Sequence, residues 1–410
     1  MPHKFTYLLL VTLLLGACSE RQRETPIHFS APTPAPNPHL QAFTRDYIQQ
    51  FDALFNYTKT PGAALVFVKD TLVLHIDGYG IKQVNTNDSI DIHTAFRVGS
   101  LSKGFASILA GVQVDKKLIN WTDKVIQHLP NFQLKDAAQT QRVNLIHLLS
   151  QTSGLPYHAF TNLIESGMEL SQINQSFKEV DLIGKEGTVY AYQNASYSLI
   201  GTIMENINHQ SLSVLFEEEL FSPLGMEDAS TTLSALEKSE NVALPHIRGR
   251  HNWRTRRLSA KYYNAIPAGG VNASISDMGH WLQLLLGNRP EIISKASLQQ
   301  VFKPRINTRN KARYFHKWPM VDDSFYALGW RVLTNPKDTF LYHGGYVNGY
   351  RGETLVYPAE KLGICVLTNA PSELPNKAIP LFIQTYNKYR DSIKIEGHKR
   401  VENKIQKDRK

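Results

Sequence analysis

The sequence predicts a mixed α/β fold in which a mainly antiparallel sheet is flanked by helices. Three observations carry this expectation: β-rich runs near both ends of the chain, helical patterns between them, and a composition able to fill a large core. The 410 residues are 42% hydrophobic and 20% charged, ordinary values for a soluble globular protein. Strands drawn from both ends with helices between them imply one sheet closed by the two termini, with the helices packed against it. No internal repeat is evident.

Taken in order, residues 1–17 form a secretory signal: Lys4, an apolar run from Leu8 to Leu15, then small residues. The run is too short to span a bilayer permanently. Its end, Leu15-Gly16-Ala17-Cys18, resembles a bacterial lipobox, which implies cleavage before Cys18 and a lipid anchor on its thiol. An ordinary cleaved signal with an incidental cysteine is the alternative. Residues 18–40 are rich in proline and poor in apolar periodicity, as an extended tether is. The globule is expected over 41–390, and the polar, basic 391–410 is expected to be a flexible tail.

Within the globule, GAALVFVK (62–69) and TLVLHIDGYG (71–80) flank a Lys-Asp turn and predict a hairpin. From Ser100 to Lys116 the pattern turns helical, and further helical stretches follow at 143–149, 196–208, 212–220 and 277–285. Strands return in ALGWRVL (327–333), TFLYHG (339–344), GETLVYP (352–358) and LGICVLTN (362–369). Cys365, in the last of these, is expected to be a buried strand thiol. With only Cys18 besides it, a disulfide framework is excluded.

The formal net charge of +9 is concentrated in part in RGRHNWRTRR (248–257) and RINTRNKAR (305–313). No helix-turn-helix, zinc-finger or RNA-binding signature accompanies them, so nucleic acid is not an expected partner. A solvated basic face, or contact with anionic surfaces, fits better. No metal-spaced His and acid cluster such as H-E-x-x-H occurs, and neither a metal nor another cofactor is expected.

Chemistry enters with FRVGSLSKGF (96–105). The helix it opens, LSKGFASILAGVQV, is apolar or small on every side, the pattern of a buried helix. Lys103 therefore sits inside, one turn from Ser100. Burial lowers a lysine's pKa. Neutral, Lys103 can accept the serine's proton; charged, it can hold the pair's hydrogen bonds and supply positive potential. Ser-x-x-Lys alone arises by chance about once in a chain of this length, so its companions matter.

Those companions are Tyr192-x-Asn194 in YAYQN and His343-Gly344-Gly345 in YHGGYVNGYRG. With FRVGSLSKGF, in this order and at this wide spacing, they resemble the three motifs of the penicillin-recognising serine hydrolases. The branch is that of class C β-lactamases, D,D-peptidases and related esterases. HLLSQTSGL (147–155), FSPLGMED (221–228) and IPAGGVNASISDM (266–278) look like recurrent segments of the same branch. There His147 is expected to be a hydrogen-bonded core histidine and Gly269-Gly270 a tight turn. The resemblance extends over roughly Gln41 to Tyr389.

The resemblance implies a β-lactamase/transpeptidase-like fold with an added all-helical lobe, Ser100 lying between lobe and sheet. It gives Ser100 as nucleophile, with Lys103 and Tyr192 as the base pair. A phenol beside an ammonium is expected to have a lowered pKa. Asn194 would orient Lys103 and the substrate amide, although an asparagine at a helix start can also be an N-cap. The backbone N–H groups of Ser100 and Tyr346, the residue after Gly345, would form the oxyanion hole.

At the third motif many members carry a lysine and a hydroxyl; here these are His343 and Gly344. A histidine titrating near neutrality would favour a neutral ester or amide over penicillins and D-Ala-D-Ala peptides, both carboxylates. Arg254, Arg256 and Arg257 could compensate if they flank the cleft. The expectation is an exported serine hydrolase acting on a small-molecule or peptidoglycan-like ester or amide through a Ser100 acyl-enzyme, of β-lactamase, D,D-peptidase or esterase type. It would be a monomer, held in the bacterial envelope through Cys18 on the periplasmic side; Ser19 suits an outer-membrane destination. The rival expectation is a non-catalytic envelope lipoprotein that uses the fold for binding or scaffolding.

Overall fold

The computed structural model describes residues 37–408, apart from 251, 309–313 and 316. The signal segment, Cys18 and nearly all of the tether lie outside the described residues, as does part of the second basic cluster.

Helix α1, Pro38–Thr58, begins three residues before the expected start of the globule. Asn37 caps it, its side chain accepting from the His39 and Leu40 amides, as an N-cap asparagine does. Its buried positions, Leu40, Phe43, Tyr47 and Phe51, repeat at intervals of three and four, which makes one apolar stripe.

The sheet has eight strands: β1 (Gly62–Lys69), β2 (Leu72–Gly80), β3 (Ile306–Asn307), β4 (Asp323–Tyr326), β5 (Arg331–Thr334), β6 (Thr339–Val347), β7 (Tyr350–Tyr357) and β8 (Leu362–Thr368). Their spatial order is β2-β1-β8-β7-β6-β5-β4-β3, with antiparallel neighbours throughout. The expected closure is observed: β1 lies beside β8, with Ala63 opposite Thr368 and Lys69 opposite Leu362.

Central strands are buried on both faces, and successive side chains therefore enter different cores. Ala64, Val66, Val68, Cys365 and Leu367 face the inner core. Leu65, Phe67, Ile364 and Val366 face the outer one. Cys365 is fully buried as expected, and burial pushes its thiol up to about 12.

Two helices cover the outer face. They are α1 and a C-terminal helix that becomes α5 once α2 (Ser102–Asp115), α3 (Ala195–Asn208) and α4 (Ile275–Leu285) are counted; α5 is Leu374–Asp408. Phe43 of α1 meets Phe382 and Tyr386 of α5 at ring separations of 5.4 and 5.3 Å. The expected tail after residue 390 is instead a continuation of α5 to Asp408. Arg390 and Lys394 pair with the buried carboxylate of Glu360 at 2.7 and 2.6 Å, and the Asn37 amide donates to the Ile393 carbonyl. A basic composition hid these tertiary anchors.

On the inner face, α2 is buried from Ser102 to Gln113. Phe105 stacks on Trp281 of α4 at 3.9 Å. On its other side stand α3 and short helices at Val125–His128, Ala137–Arg142, Leu145–Leu149, Thr161–Glu165 and Leu170–Gln175. These make up the all-helical lobe that the motifs implied, and α2 separates it from the sheet.

Candidate active site

A two-residue ribbon, Phe96–Arg97 against Asn272–Ala273, delivers the chain to Gly99. There φ is +55°, a left-handed conformation that glycine adopts without a Cβ penalty. A Cβ at this point would also lie 2.8 Å from the Tyr346 nitrogen. The turn leads through Gly99–Leu101 into α2. Ser102 locks it, donating to the Gly99 carbonyl at 2.7 Å and accepting from the Val271 amide at 3.0 Å. Ser100 is left half-buried at the head of a buried helix.

Lys103 is 0% exposed. Its Nζ lies 2.8 Å from Asn194 Oδ1, 2.9 Å from the Ala268 carbonyl and 3.4 Å from Ser100 Oγ. The first two neighbours can only accept, so they take two N–H bonds. The third direction is aimed at the serine. Burial, with the Arg331 charge adding to it, holds the lysine well below its usual range. In its neutral form an amine in this position keeps its lone pair for the Ser100 proton.

Tyr192 stands over the same amine, its ring centroid 4.6 Å from Nζ. The expected lowering of its pKa is not what the structure gives. Burial raises the phenol well above the ordinary tyrosine value, and hydrogen bonding with Ser100 offsets only part of this. The reason is that Tyr192 is itself desolvated, which disfavours the phenolate. Of the two groups, Lys103 is the one poised to take a proton at rest.

Asn194 immediately precedes α3, but its side chain makes no capping bond. Its oxygen receives Lys103, and its nitrogen donates to the Tyr262 hydroxyl at 3.4 Å, which in turn donates to Glu165 at 3.3 Å. The orienting role, not the cap, fits this geometry. Tyr262, Glu165 and the Ala268 carbonyl were not singled out by the sequence. IPAGG pointed to the right segment, but a backbone carbonyl leaves no side-chain signature. Gly269 and Gly270 close the tight turn expected of them, the Gly270 amide donating to the Ile266 carbonyl at 3.0 Å, and a Cβ on Gly269 would press on the Tyr262 ring at 3.2 Å.

β6 pairs with β5 only as far as Tyr342, and its last five residues run on to Val347 beside the Gly99–Leu101 turn. The approach is backbone to backbone. A Cβ at Gly345 would lie 2.1 Å from the Val98 carbonyl and 3.1 Å from the Ser100 nitrogen. The Ser100 and Tyr346 amides thus meet across a contact that only glycine permits. The Tyr346 ring is 60% exposed, so its side chain stands clear of this contact.

His343 is 2% exposed. Its Nδ1 lies 2.9 Å from the Gly344 carbonyl, which can only accept, so the proton is on Nδ1 and Nε2 accepts from the Tyr326 hydroxyl at 3.2 Å. Burial, then the charges of Arg331 and Lys103, hold the ring well below the usual histidine value. His343 is therefore not the near-neutral titrating cation expected, because no solvent reaches it. The missing hydroxyl at Gly344 also has a steric cause: a Cβ there would lie 2.6 Å from the Tyr342 hydroxyl.

The remaining expectations concern the surroundings. His147 is hydrogen-bonded as expected, accepting from the Asn144 amide in a helix-capping box, but it is half-buried and not a core residue. The ribbon His246–Arg248 and Trp253–Thr255, which carries part of the first basic cluster, docks on Lys59 through the Trp253 indole and on Asn369 through His246. Arg254, Arg256 and Arg257 are exposed on it. Among the described residues, no group of three or more His, Cys, Asp or Glu is arranged to hold a metal ion, and no helix is long and apolar enough to cross a membrane.

Known proteins resemble this chain over most of its length. The family model described as Beta-lactamase matches residues 44–382. Protein flp of Staphylococcus aureus (strain COL) is 25% identical over 365 residues, 87% of this chain and 68% of that protein. Unguisins hydrolase ungD' of Aspergillus campestris is 25% identical over 312 residues, 72% of this chain and 55% of its own length. Among solved structures, the octameric penicillin-binding protein homologue from Pyrococcus abyssi superposes with a TM-score of 0.71 at 21% identity, covering 83% of this chain and 77% of that one.

Proposed function

The chain belongs to the beta-lactamase family, and we propose that it is a serine hydrolase cleaving an amide or ester through an acyl-enzyme on Ser100. The observation that carries this reading is the coordination of Lys103: two fixed acceptors and, as third neighbour, the Ser100 hydroxyl.

In this scheme Lys103 takes the proton from Ser100 Oγ as the oxygen attacks the substrate carbonyl carbon. The negative charge that develops on the carbonyl oxygen meets the Ser100 and Tyr346 amides, each able to contribute on the order of 3 kcal/mol in a water-poor site. Tyr192, still protonated, delivers its proton to the leaving nitrogen or oxygen and recovers one from the Lys103 ammonium. Water then repeats the sequence on the acyl-enzyme, with Lys103 again as base, and frees the acid. The name of the Aspergillus relative, a hydrolase, is in keeping with the reaction type.

The test is turnover of p-nitrophenyl acetate together with labelling by a neutral fluorophosphonate. Both should be present in the intact protein and absent in Ser100→Ala. Labelling that survives the substitution would identify a different nucleophile; a wild-type protein with neither property would be a binder on the same fold. Nitrocefin turnover separates a β-lactamase from an esterase or peptidase. On the strength of residues 1–18 we place this activity in the bacterial envelope, tethered by lipid at Cys18. Mass spectrometry of the mature N-terminus should find a lipidated cysteine, and Cys18→Ser should release the protein from the membrane fraction.

A further inference from the structure

An asparagine amide has two ends of nearly the same shape, one that accepts and one that donates. Asn194 turns its oxygen to Lys103, and Lys103 alone does not settle that choice. An ammonium needs the oxygen, but a neutral amine could equally receive an N–H on its lone pair. With the amide reversed, that lone pair would be lost to the Ser100 proton. Another group has to hold the amide in its useful sense.

The neighbours on its far side do so. The Asn194 nitrogen lies 3.4 Å from the Tyr262 hydroxyl, which lies 3.3 Å from Glu165 Oε1. A carboxylate only accepts, so the phenol hydrogen goes to Glu165 and the phenol oxygen is left to accept from Asn194. Burial, then the Glu165 charge, keep that phenol protonated. Lys103, Asn194 and Tyr262 therefore all donate towards Glu165.

The fold holds this chain of bonds under tension. Tyr262 has a φ of +71°, a left-handed conformation that is costly for a bulky residue. Its segment is clipped to the short helix Thr161–Glu165: Lys261 pairs with Glu165 Oε2 at 2.7 Å, and Asn264 donates to the Ile164 and Met168 carbonyls at 3.0 and 2.8 Å. The Tyr262 ring covers Gly269, next to the Ala268 carbonyl that takes the second Lys103 N–H.

We propose that Glu165 is a positioning residue for Lys103: acting through Tyr262, it fixes the sense of the Asn194 amide and so commits the amine's lone pair to Ser100. The effect on rate rests on the Ser100 reading, but the effect on Lys103 does not, so the two can be tested apart.

The rate test uses p-nitrophenyl acetate. Tyr262→Phe and Glu165→Ala should each lower kcat about tenfold, as for one lost hydrogen bond, with little change in KM. Glu165→Gln keeps the size but can donate as well as accept, and should fall between Glu165→Ala and wild type; a Gln variant equal to wild type would overturn the proposal. In an Asn194→Ala background, Tyr262→Phe and Glu165→Ala should have no further effect, because both act through Asn194. Losses that add in full there would mark a merely structural role and overturn it as well.

The second test needs no turnover. Protein carrying 13C at the lysine Cε atoms is titrated by NMR, the Lys103 signal being the one absent from Lys103→Met. Loosening the Asn194 oxygen withdraws a bond that favours the ammonium, so in Tyr262→Phe Lys103 should titrate about one pH unit lower, the equivalent of tenfold. The other titratable or charged groups around the amine, Tyr192, Tyr197, Arg331, His158 and His343, are left in place by the substitution. An unmoved titration would overturn the proposal whatever the turnover. A wild type without turnover, whose Lys103 titration still moves with Tyr262→Phe, would remove the hydrolase reading and leave the positioning role standing.

Discussion

The amine of Lys103 and the amide oxygen of Asn194 lie 2.8 Å apart across 91 residues of sequence. This bond joins α2 to the head of α3, and it fixes the lysine's remaining direction on Ser100. Asn194→Ala should cut kcat/KM by about 10- to 100-fold, the range for losing a hydrogen bond to an ionisable group. Asn194→Asp would put a negative charge beside the amine and raise its pKa. Lys103 acts as base only above its pKa, so the acid limb of the kcat/KM profile should move to higher pH. A limb that stays in place would mean that Lys103 is not the group titrating in that limb.

Gly345 sets the oxyanion geometry. Gly345→Ala would force β6 away from the Val98 carbonyl, 2.1 Å from the new Cβ, and carry the Tyr346 amide with it. The expected result is a fall in kcat of about 100-fold or more, the loss typical of one oxyanion donor, with a smaller change in KM. Stopped-flow acylation of the same variant should show the defect in the acylation step. Thermal unfolding checks that the fold survives, since overpacking costs about 1–3 kcal/mol.

His343 is a neutral buried link between strands. His343→Lys would place an ammonium in a site that already feels Lys103 and Arg331, at a cost of several kcal/mol. The variant should fail to fold or lose stability steeply in urea. A folded, fully active His343→Lys protein would show instead that the position is a substrate-facing cation.

A pH effect on stability arises away from the cleft. Burial raises the carboxyl of Asp277, at the start of α4, to about 7. A folded-state pKa above the unfolded value, near 4, gives stability that is fully present below pH 4 and lost as the pH rises through 7. The stability of wild type relative to Asp277→Asn should therefore decline between pH 4 and 7. Urea midpoints measured across that interval check it, and a difference that stays flat or grows with pH would contradict it.

The sequence alone determined much of this protein. Apolar β-rich runs at both ends of the globule specified an antiparallel sheet closed by β1 and β8, because a strand buried on both faces must be apolar throughout. A helix apolar on every side placed Lys103 inside and one turn from Ser100, because helix periodicity is local. The three motifs marked Tyr192, Asn194 and the His343–Tyr346 segment as companions.

Tertiary structure decided the rest, since protonation and partnership depend on neighbours distant in the chain. Tyr192 and His343 have side chains that could titrate in useful ranges; burial, first among their surroundings, sets one phenol high and one imidazole low. The tail looked free by composition, yet Glu360 holds Arg390 and Lys394. Ala268 offers a carbonyl that any residue could have offered. Arg331 was one arginine among many in the sequence. The folding of β4, β5 and β6 around it sets it against the Tyr326 ring, because desolvation and pairing are properties of a place in the fold and not of a residue type.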